Sequence, residues 1–245
     1  MSKSEFTFDT TDEKKVYVRQ MFSDIAGRYD FLNHFLSFGQ DFRWRKKAVR
    51  VVRKHLGTNA QPAVLDIACG TGDLSFEVLR QMPGAKITGL DLARPMLDIF
   101  QQKIDKRHAT IVIGEGDVEA LEFADNTFDA VTIGFATRNF SKLDVACREI
   151  FRVLKPGGVF VNLELSKPRR FPMKQLYAFY SRFILPIVGK GVSRNTEAYS
   201  YLPDSIRRFP EREEIVAMLT RIGFVNARWK DLSAGIVTMH IAEKR

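Results

Sequence analysis

The sequence predicts an α/β protein: a doubly wound, mostly parallel, seven-stranded sheet with helices before it and a helical insertion late in the chain. Three observations carry this. Short apolar runs alternate with amphipathic segments at the spacing that crossover units need. The first such run, Ala63 to Ile67, ends in a glycine turn. From Phe171 to Arg208 the alternation stops and aromatic residues accumulate.

Residues from about Glu13 to Leu56 read as helical, because Val16, Met21, Phe22 and Ile25 recur at three- and four-residue steps. Ala63 to Ile67 is then a buried parallel strand, and Asp73 to Gln81 a helix stopped by Met82-Pro83-Gly84. Lys86 to Leu90 is a second strand, Pro95 to Lys106 a helix, Thr110 to Ile113 a third strand and Phe128 to Ile133 a fourth. Leu143 to Leu154 is a helix, stopped by Lys155-Pro156-Gly157-Gly158, and Val159 to Glu164 a fifth strand. Phe171 to Arg208, with Tyr177, Phe179, Tyr180, Phe183, Tyr199 and Tyr201, is a helical cap. A helix from Glu211 to Arg221 and strands over Phe224 to Trp229 and Ile236 to Ala242 finish the domain. The whole is one unit with four parts: an N-terminal helical region (1–57), a ligand-binding core (58–168), the cap (169–209) and a C-terminal helix with two strands (210–245).

At 245 residues, 45% hydrophobic and 27% charged, the chain has the balance of an ordinary globule with one core. No internal repeat or low-complexity stretch interrupts it. The net charge of +9 admits nucleic acid, an anionic membrane or an acidic ligand. The densest basic run, Arg43, Arg45, Lys46, Lys47, Arg50, Arg53 and Lys54, reads as the solvated face of a helix rather than a binding patch. Cys69 and Cys147 make neither a disulfide framework nor a metal site, so no metal is expected. The N-terminal residues lack the apolar core of a signal peptide. Leu176 to Val188, the nearest approach to a spanning helix, is broken by Arg182 and Pro186. The expectation is a cytoplasmic protein that meets an anionic membrane surface only peripherally.

The turn after the first strand, Asp66-Ile67-Ala68-Cys69-Gly70-Thr71-Gly72-Asp73, lets a ligand approach the backbone at Gly70 and Gly72. A dinucleotide fingerprint needs a third glycine where Ser75 stands. Asp66 and Asp73 also flank the turn, which suits a cationic ligand better than a pyrophosphate. S-adenosylmethionine carries an ammonium and a sulfonium. Asp91, at the end of the second strand, can accept ribose hydroxyls, and Asp117, in Gly116-Asp117-Val118, an adenine amino group. Singly, either aspartate is as readily a turn or cap residue. Three acidic positions at three successive strand ends, beside a glycine turn, make the ligand-binding reading the stronger.

The Asp66-to-Leu74 stretch resembles the first motif of class I methyltransferases. Arg152-Val-Leu-Lys-Pro-Gly-Gly158, running on to Glu164-Leu-Ser166, is similar to a later motif of one branch, the ubiquinone/menaquinone biosynthesis C-methyltransferases. Tyr29-Asp30, Asn33, Leu36-Ser37 and Trp44 resemble that family's N-terminal pattern, although it usually has a histidine where this chain has Asp41. Gly134-Phe135-Ala136-Thr137-Arg138-Asn139 and Tyr199 to Arg207 extend the likeness, which runs from about Val16 to His240. It implies cofactor contacts at Thr71, Asp91, Asp117-Val118 and Gly134, where the family often has serine. It further implies methyl transfer from S-adenosylmethionine to a ring carbon of a prenylated quinol.

For that chemistry a ring hydroxyl must lose its proton and the oxyanion must be held. Arg138 and Asn139, at the end of the fourth strand, are candidates to hold it. Arginine cannot be the base, so His240 and Tyr201 are the candidate proton acceptors, although packing roles weigh more for both. For Arg138 the competing role is an ion pair with a helix carboxylate. Two rival readings remain. An RNA methyltransferase would share the cofactor site, but amine-methylating members carry an Asn/Asp-Pro-Pro-aromatic turn where this chain has Gly134 to Thr137, so no nucleic-acid partner is expected. A non-catalytic quinone-binding subunit would not need the acidic constellation. Naphthoquinol and benzoquinol stay open as substrates, and nothing signals an oligomeric state.

Overall fold

The computed structural model describes residues 6, 8, 10–181 and 196–245, with side chains of the last stretch from 201 onward. The expected cap is therefore described only at its two ends; Arg182, Phe183, Pro186 and the side chain of Tyr199 lie outside the described residues.

Two helices open the chain, α1 (Thr11–Leu36) and α2 (Gln40–Leu56). Thr10 caps α1 by accepting from the Glu13 N–H at 3.2 Å. The break falls at Phe38 and Gly39, both with positive φ (51° and 68°). Gly39 tolerates that conformation and its N–H caps the His34 carbonyl at 2.8 Å.

Then come β1 (Ala63–Ile67), α3 (Asp73–Gln81), β2 (Lys86–Asp91), α4 (Arg94–Arg107), β3 (Ile111–Glu115), β4 (Phe128–Gly134), α5 (Leu143–Val153), β5 (Leu154–Leu165) and α6 (Met173–Phe179). After the undescribed stretch follow α7 (Thr196–Arg208), α8 (Arg212–Ile222), β6 (Val225–Leu232) and β7 (Val237–Glu243). The seven strands lie in the order β3-β2-β1-β4-β5-β7-β6. All pairings are parallel except those of β7, which runs antiparallel to both β5 and β6.

One element begins earlier than its sequence suggests. Lys155 to Gly158 does not stand as a loop before β5 but forms an irregular start to it: Leu154 pairs with Phe128, and the register then jumps to Ala130–Val159. The Gly157 N–H donates to the Lys244 carbonyl at 2.8 Å, so the bulge is held from the far side as well.

The two faces of the sheet bury separate cores. On one, Trp44, Val49 and Val52 of α2 pack with Phe76 of α3 and Phe100 of α4. On the other, Ile150 of α5 and Leu219 of α8 pack with Phe160 and Phe224. The strand order reverses between β1 and β4, so a crevice opens above their carboxyl ends, where such sheets bind ligands.

Candidate active site

The crevice is a cleft of about 790 Å³, a figure that includes the solvent at its open mouth. Gly70, Asp91, Asp117, Val118, Gly134 and Asn139 all line it. Asp91 sits where β2 ends. Its Oδ2 accepts the Gly70 N–H at 2.8 Å and its Oδ1 the Ala93 N–H at 2.9 Å, so one carboxylate ties the glycine turn to the start of α4. Burial raises its pKa, and the N–H donors of Ala93, Gly70 and Leu92 hold it back. Each oxygen keeps acceptor capacity for a diol. Asp117 accepts the Glu119 N–H at 2.9 Å and the Lys15 ammonium at 2.6 Å.

Three of the expected cofactor residues do not line the cleft. Asp66 is 1% exposed and accepts from the hydroxyls of Ser75 (2.5 Å) and Thr132 (2.9 Å). Burial pushes its carboxyl up to about 6. Thr71 turns its hydroxyl to Asp30 at 2.5 Å. Gly72 is there for space: a Cβ would stand 2.1 Å from the Phe100 ring, and its φ is 87°. The carboxylate of Asp73 is likewise spoken for, 3.4 Å from Arg45 and 3.1 Å from Lys103. The two aspartates flanking the turn thus build the turn, and the negative groups facing the cleft are Asp91, Asp117 and Glu119.

Arg45 departs from the expected solvated face. It is 7% exposed and paired with Asp41, whereas Arg43, Lys46, Lys47, Arg50, Arg53 and Lys54 are all exposed. Asp41 also takes the Ser37 hydroxyl at 2.7 Å and a His34 ring nitrogen at 2.7 Å. His34, Asp41 and Asp73 come within 4.8 Å of one another, but Arg45 already neutralises both carboxylates.

One whole wall of the cleft escapes the sequence reading. Lys15, Val18, Arg19, Phe22 and Tyr29 of α1 close it from above. Lys15 bridges Asp117 and Glu119 at 2.6 and 2.7 Å. Tyr29 lies over Gly70, its ring 3.8 Å from where a Cβ there would be. Burial raises its phenol pKa, and Arg138, Arg45 and Asp91 all act on it. The signal was the Tyr29-Asp30 pair, since Asp30 anchors α1 to Thr71 of the glycine turn.

The 3₁₀ turn Thr137–Asn139 after β4 separates the cleft from a second cavity of about 620 Å³. Asn139 faces the cleft, and its side-chain oxygen is buried with no partner among the described residues. Arg138 faces the second cavity with Tyr201 and Lys14. Its guanidinium pairs with Glu164 of β5 at 2.7 Å and donates to the Phe135 carbonyl, so the carboxylate it meets belongs to a strand and not a helix. Its Nε is buried without a partner among the described residues. Burial raises the Tyr201 phenol to about 12, so it stays protonated well above neutral pH. His240, 1% exposed, opens on neither cavity: it lines a smaller, separate pocket with Glu164 and Arg212. Burial, reinforced by Arg212, pushes it down to about 4.

A cleft rimmed by carboxylates at the strand ends thus adjoins a second, aromatic-lined cavity. The ubiE/COQ5 methyltransferase family matches residues 9–244. The chain belongs to that family. It is 41% identical to a demethylmenaquinone methyltransferase of Porphyromonas gingivalis, over 97% of this chain and 96% of the relative. It is 43% identical to a ubiquinone/menaquinone biosynthesis C-methyltransferase of Geobacter sulfurreducens, over 95% and 90%. The fold is shared with a SAM-dependent methyltransferase from Aquifex aeolicus, at a TM-score of 0.57 and 16% identity, over 79% of this chain and 88% of that one. As a member of the ubiE/COQ5 family the protein is an S-adenosylmethionine-dependent methyltransferase. No helix among its described residues is long and apolar enough to cross a membrane.

Proposed function

We propose that this ubiE/COQ5-family protein methylates a ring carbon of a prenylated quinol, converting demethylmenaquinol to menaquinol or acting on the corresponding benzoquinol. The observation that carries the reading is the near full-length likeness to enzymes named for that reaction. The site supports it. Asp91 would hold the ribose of S-adenosylmethionine, Asp117 and Val118 its adenine, and the Gly70 turn would lie along its amino-acid part. Bound there, the cofactor supplies a sulfonium methyl to an electron-rich carbon.

The remaining work falls to residues on either side of the Thr137–Asn139 turn. A quinol ring in the aromatic cavity would lie beside Arg138, and the free Nε of that guanidinium offers a hydrogen bond and a positive charge to the oxygen that becomes anionic. The unpartnered oxygen of Asn139 can accept from a ring hydroxyl. Tyr201, protonated at neutral pH, donates and does not take the proton. His240 is neutral at that pH but lines a separate pocket, so a packing role suits it better than that of base. Excluding water between the walls of α1 and the turn would align ring carbon and methyl.

Complementation of a strain unable to methylate its quinones, with mass analysis of the quinone that accumulates, tests the reading. Methylated menaquinone or ubiquinone supports it; accumulation of the unmethylated precursor despite expression of the protein refutes it.

A further inference from the structure

Four phenylalanines within one short stretch stand in solvent: Phe31 (60% exposed), Phe35 (51%), Phe38 (77%) and Phe42 (56%). They surround the elbow between α1 and α2. Phe31 and Phe35 stack at 5.8 Å on the last turns of α1, Phe38 occupies the bend, and Phe42 lies on the first turn of α2 against His34 at 4.3 Å. The segment holding α6 continues the patch, from Phe171 before the helix to Tyr180 at its C-terminal cap. The Tyr180 hydroxyl donates to the Leu36 carbonyl at 3.0 Å, and its ring is 6.5 Å from Phe38. Nearby on the same segment, Phe171 (81%) and Leu176 (57%) are exposed as well.

Folding does not account for this arrangement. Phe38 combines a left-handed backbone (φ 51°), which disfavours any side chain with a Cβ, with an almost bare ring. An apolar patch of this kind marks a contact surface. Its setting says what it meets. From the elbow, α2 carries Arg43, Lys47, Arg50 and Lys54 at steps of four, three and four, which places them on one stripe. All four are exposed and none is in an ion pair among the described residues. Arg170 and Lys174 add exposed cations beside α6. The acid closest to the elbow, Asp41, is buried and already paired with Arg45.

We infer that the α1–α2 elbow, with the adjoining α6 segment, docks on an anionic lipid bilayer: the phenylalanines enter the headgroup–acyl boundary and the α2 stripe lies along the phosphates. Aromatic residues at a tip flanked by unpaired cations are what such an interface selects. A second copy of the chain is a poorer occupant, since it would bring the same cationic stripe face to face. A nucleic acid would engage the stripe and leave the phenylalanines in water. The inference rests on the prenylated-quinol reading for its purpose, because such a substrate keeps its tail in a bilayer, and on the exposed side chains for its evidence.

Flotation of the full-length protein with quinol-free vesicles tests it. Vesicles of phosphatidylcholine with phosphatidylglycerol should carry the wild type up the gradient, and pure phosphatidylcholine should carry less. A Phe35→Ser/Phe38→Ser variant should bind at least about tenfold more weakly to both vesicles. An Arg43→Glu/Lys47→Glu variant should lose the preference for phosphatidylglycerol, with binding down by about tenfold or more. Undiminished S-adenosylmethionine binding shows that both variants are folded. The inference is overturned if the wild type ignores anionic vesicles at low salt or if the variants float like it. It is equally overturned if light scattering finds a dimer that the phenylalanine variant dissociates. Methylation of a water-soluble short-chain quinol is scored separately. Failure to float with that activity intact removes the docking surface alone, whereas absence of that activity removes the substrate reading.

Discussion

Arg138 donates through Nη1 to Oε1 of Glu164 at 2.7 Å, and the Thr137 hydroxyl and the Arg138 N–H both donate to the other oxygen of the same carboxylate, at 2.8 and 3.0 Å. One buried strand carboxylate therefore sets the shape of the turn that divides the two cavities, and the arginine that faces the second cavity is fixed by it.

Arg138→Ala should lower turnover by about 100-fold, the cost of losing one donor to a developing oxyanion, with cofactor affinity nearly intact. It should also cost about 3–5 kcal/mol of stability, because Glu164 is left buried without its counter-charge. Removing both charges in Arg138→Met/Glu164→Gln should restore most of the stability and none of the turnover. Denaturation curves and single-turnover kinetics on the same preparations separate the two effects; full activity in the double variant would contradict the role given to Arg138.

Asp91→Asn should weaken cofactor binding by about 10–100-fold, the worth of charge-assisted hydrogen bonds at 1.4 kcal/mol per tenfold. Thr71→Val should act mainly through the tether to α1 and change that affinity less. Isothermal titration with S-adenosylmethionine decides the order of the two.

Asp66 and His240 should bend the stability–pH profile in opposite directions. The folded carboxyl of Asp66, at about 6, lies above its ordinary value. Its contribution is therefore complete at low pH and is lost as pH rises through about 6, a change of about 3 kcal/mol from the gap between the two values. The folded imidazole of His240, at about 4, lies below its ordinary value. Its contribution is present above about 6.5 and is lost, again by about 3 kcal/mol, as pH falls toward 4. Relative to Asp66→Asn, the wild type should lose stability on going from pH 4 to 6.5; relative to His240→Gln it should gain. Urea denaturation across that range reads both slopes, and parallel profiles for all three proteins would contradict the assignment.

Gly72→Ala should destabilise the protein by about 2 kcal/mol or more, since the methyl meets the Phe100 ring in a core with no slack and the backbone is left-handed. Gly39→Ala, with open space around it, should cost only its backbone strain. Comparing the two urea midpoints isolates the steric part.

What could be read in advance followed from local chemistry. Apolar runs ended at glycines and aspartates, and all strands but β5, with most helix ends, fall within a few residues of where the pattern put them. Asp91 and Asp117 were legible because the ends of successive parallel strands must meet. What escaped depends on partners far away in the chain. Nothing near Lys15 announces Asp117 and Glu119, more than a hundred residues on, so of the wall made by α1 only the Tyr29-Asp30 pair left a trace in the sequence. Arg45 looked like its basic neighbours until Asp41 and Asp73 were seen around it. Asp66 carries the same charge as Asp91, and only the hydroxyls of Ser75 and Thr132 show that one builds the turn while the other faces the cleft. The start of β5 was misplaced because Pro156 and two glycines signal a loop, whereas Lys244 pairs with them from the opposite strand.

The place of β7 between β5 and β6 separates the order in which the chain is made from the order in which the sheet can be assembled. β6 emerges from synthesis with no neighbour to hydrogen-bond, because the strand destined to lie beside it has not yet been translated. β5, meanwhile, presents a bare edge of apolar residues. Both are satisfied in one step when β7 slides in antiparallel, so the nascent domain carries two adhesive edges until β7 has been made. A chain without β7 would keep its donor cleft on paper and be prone to aggregate in practice.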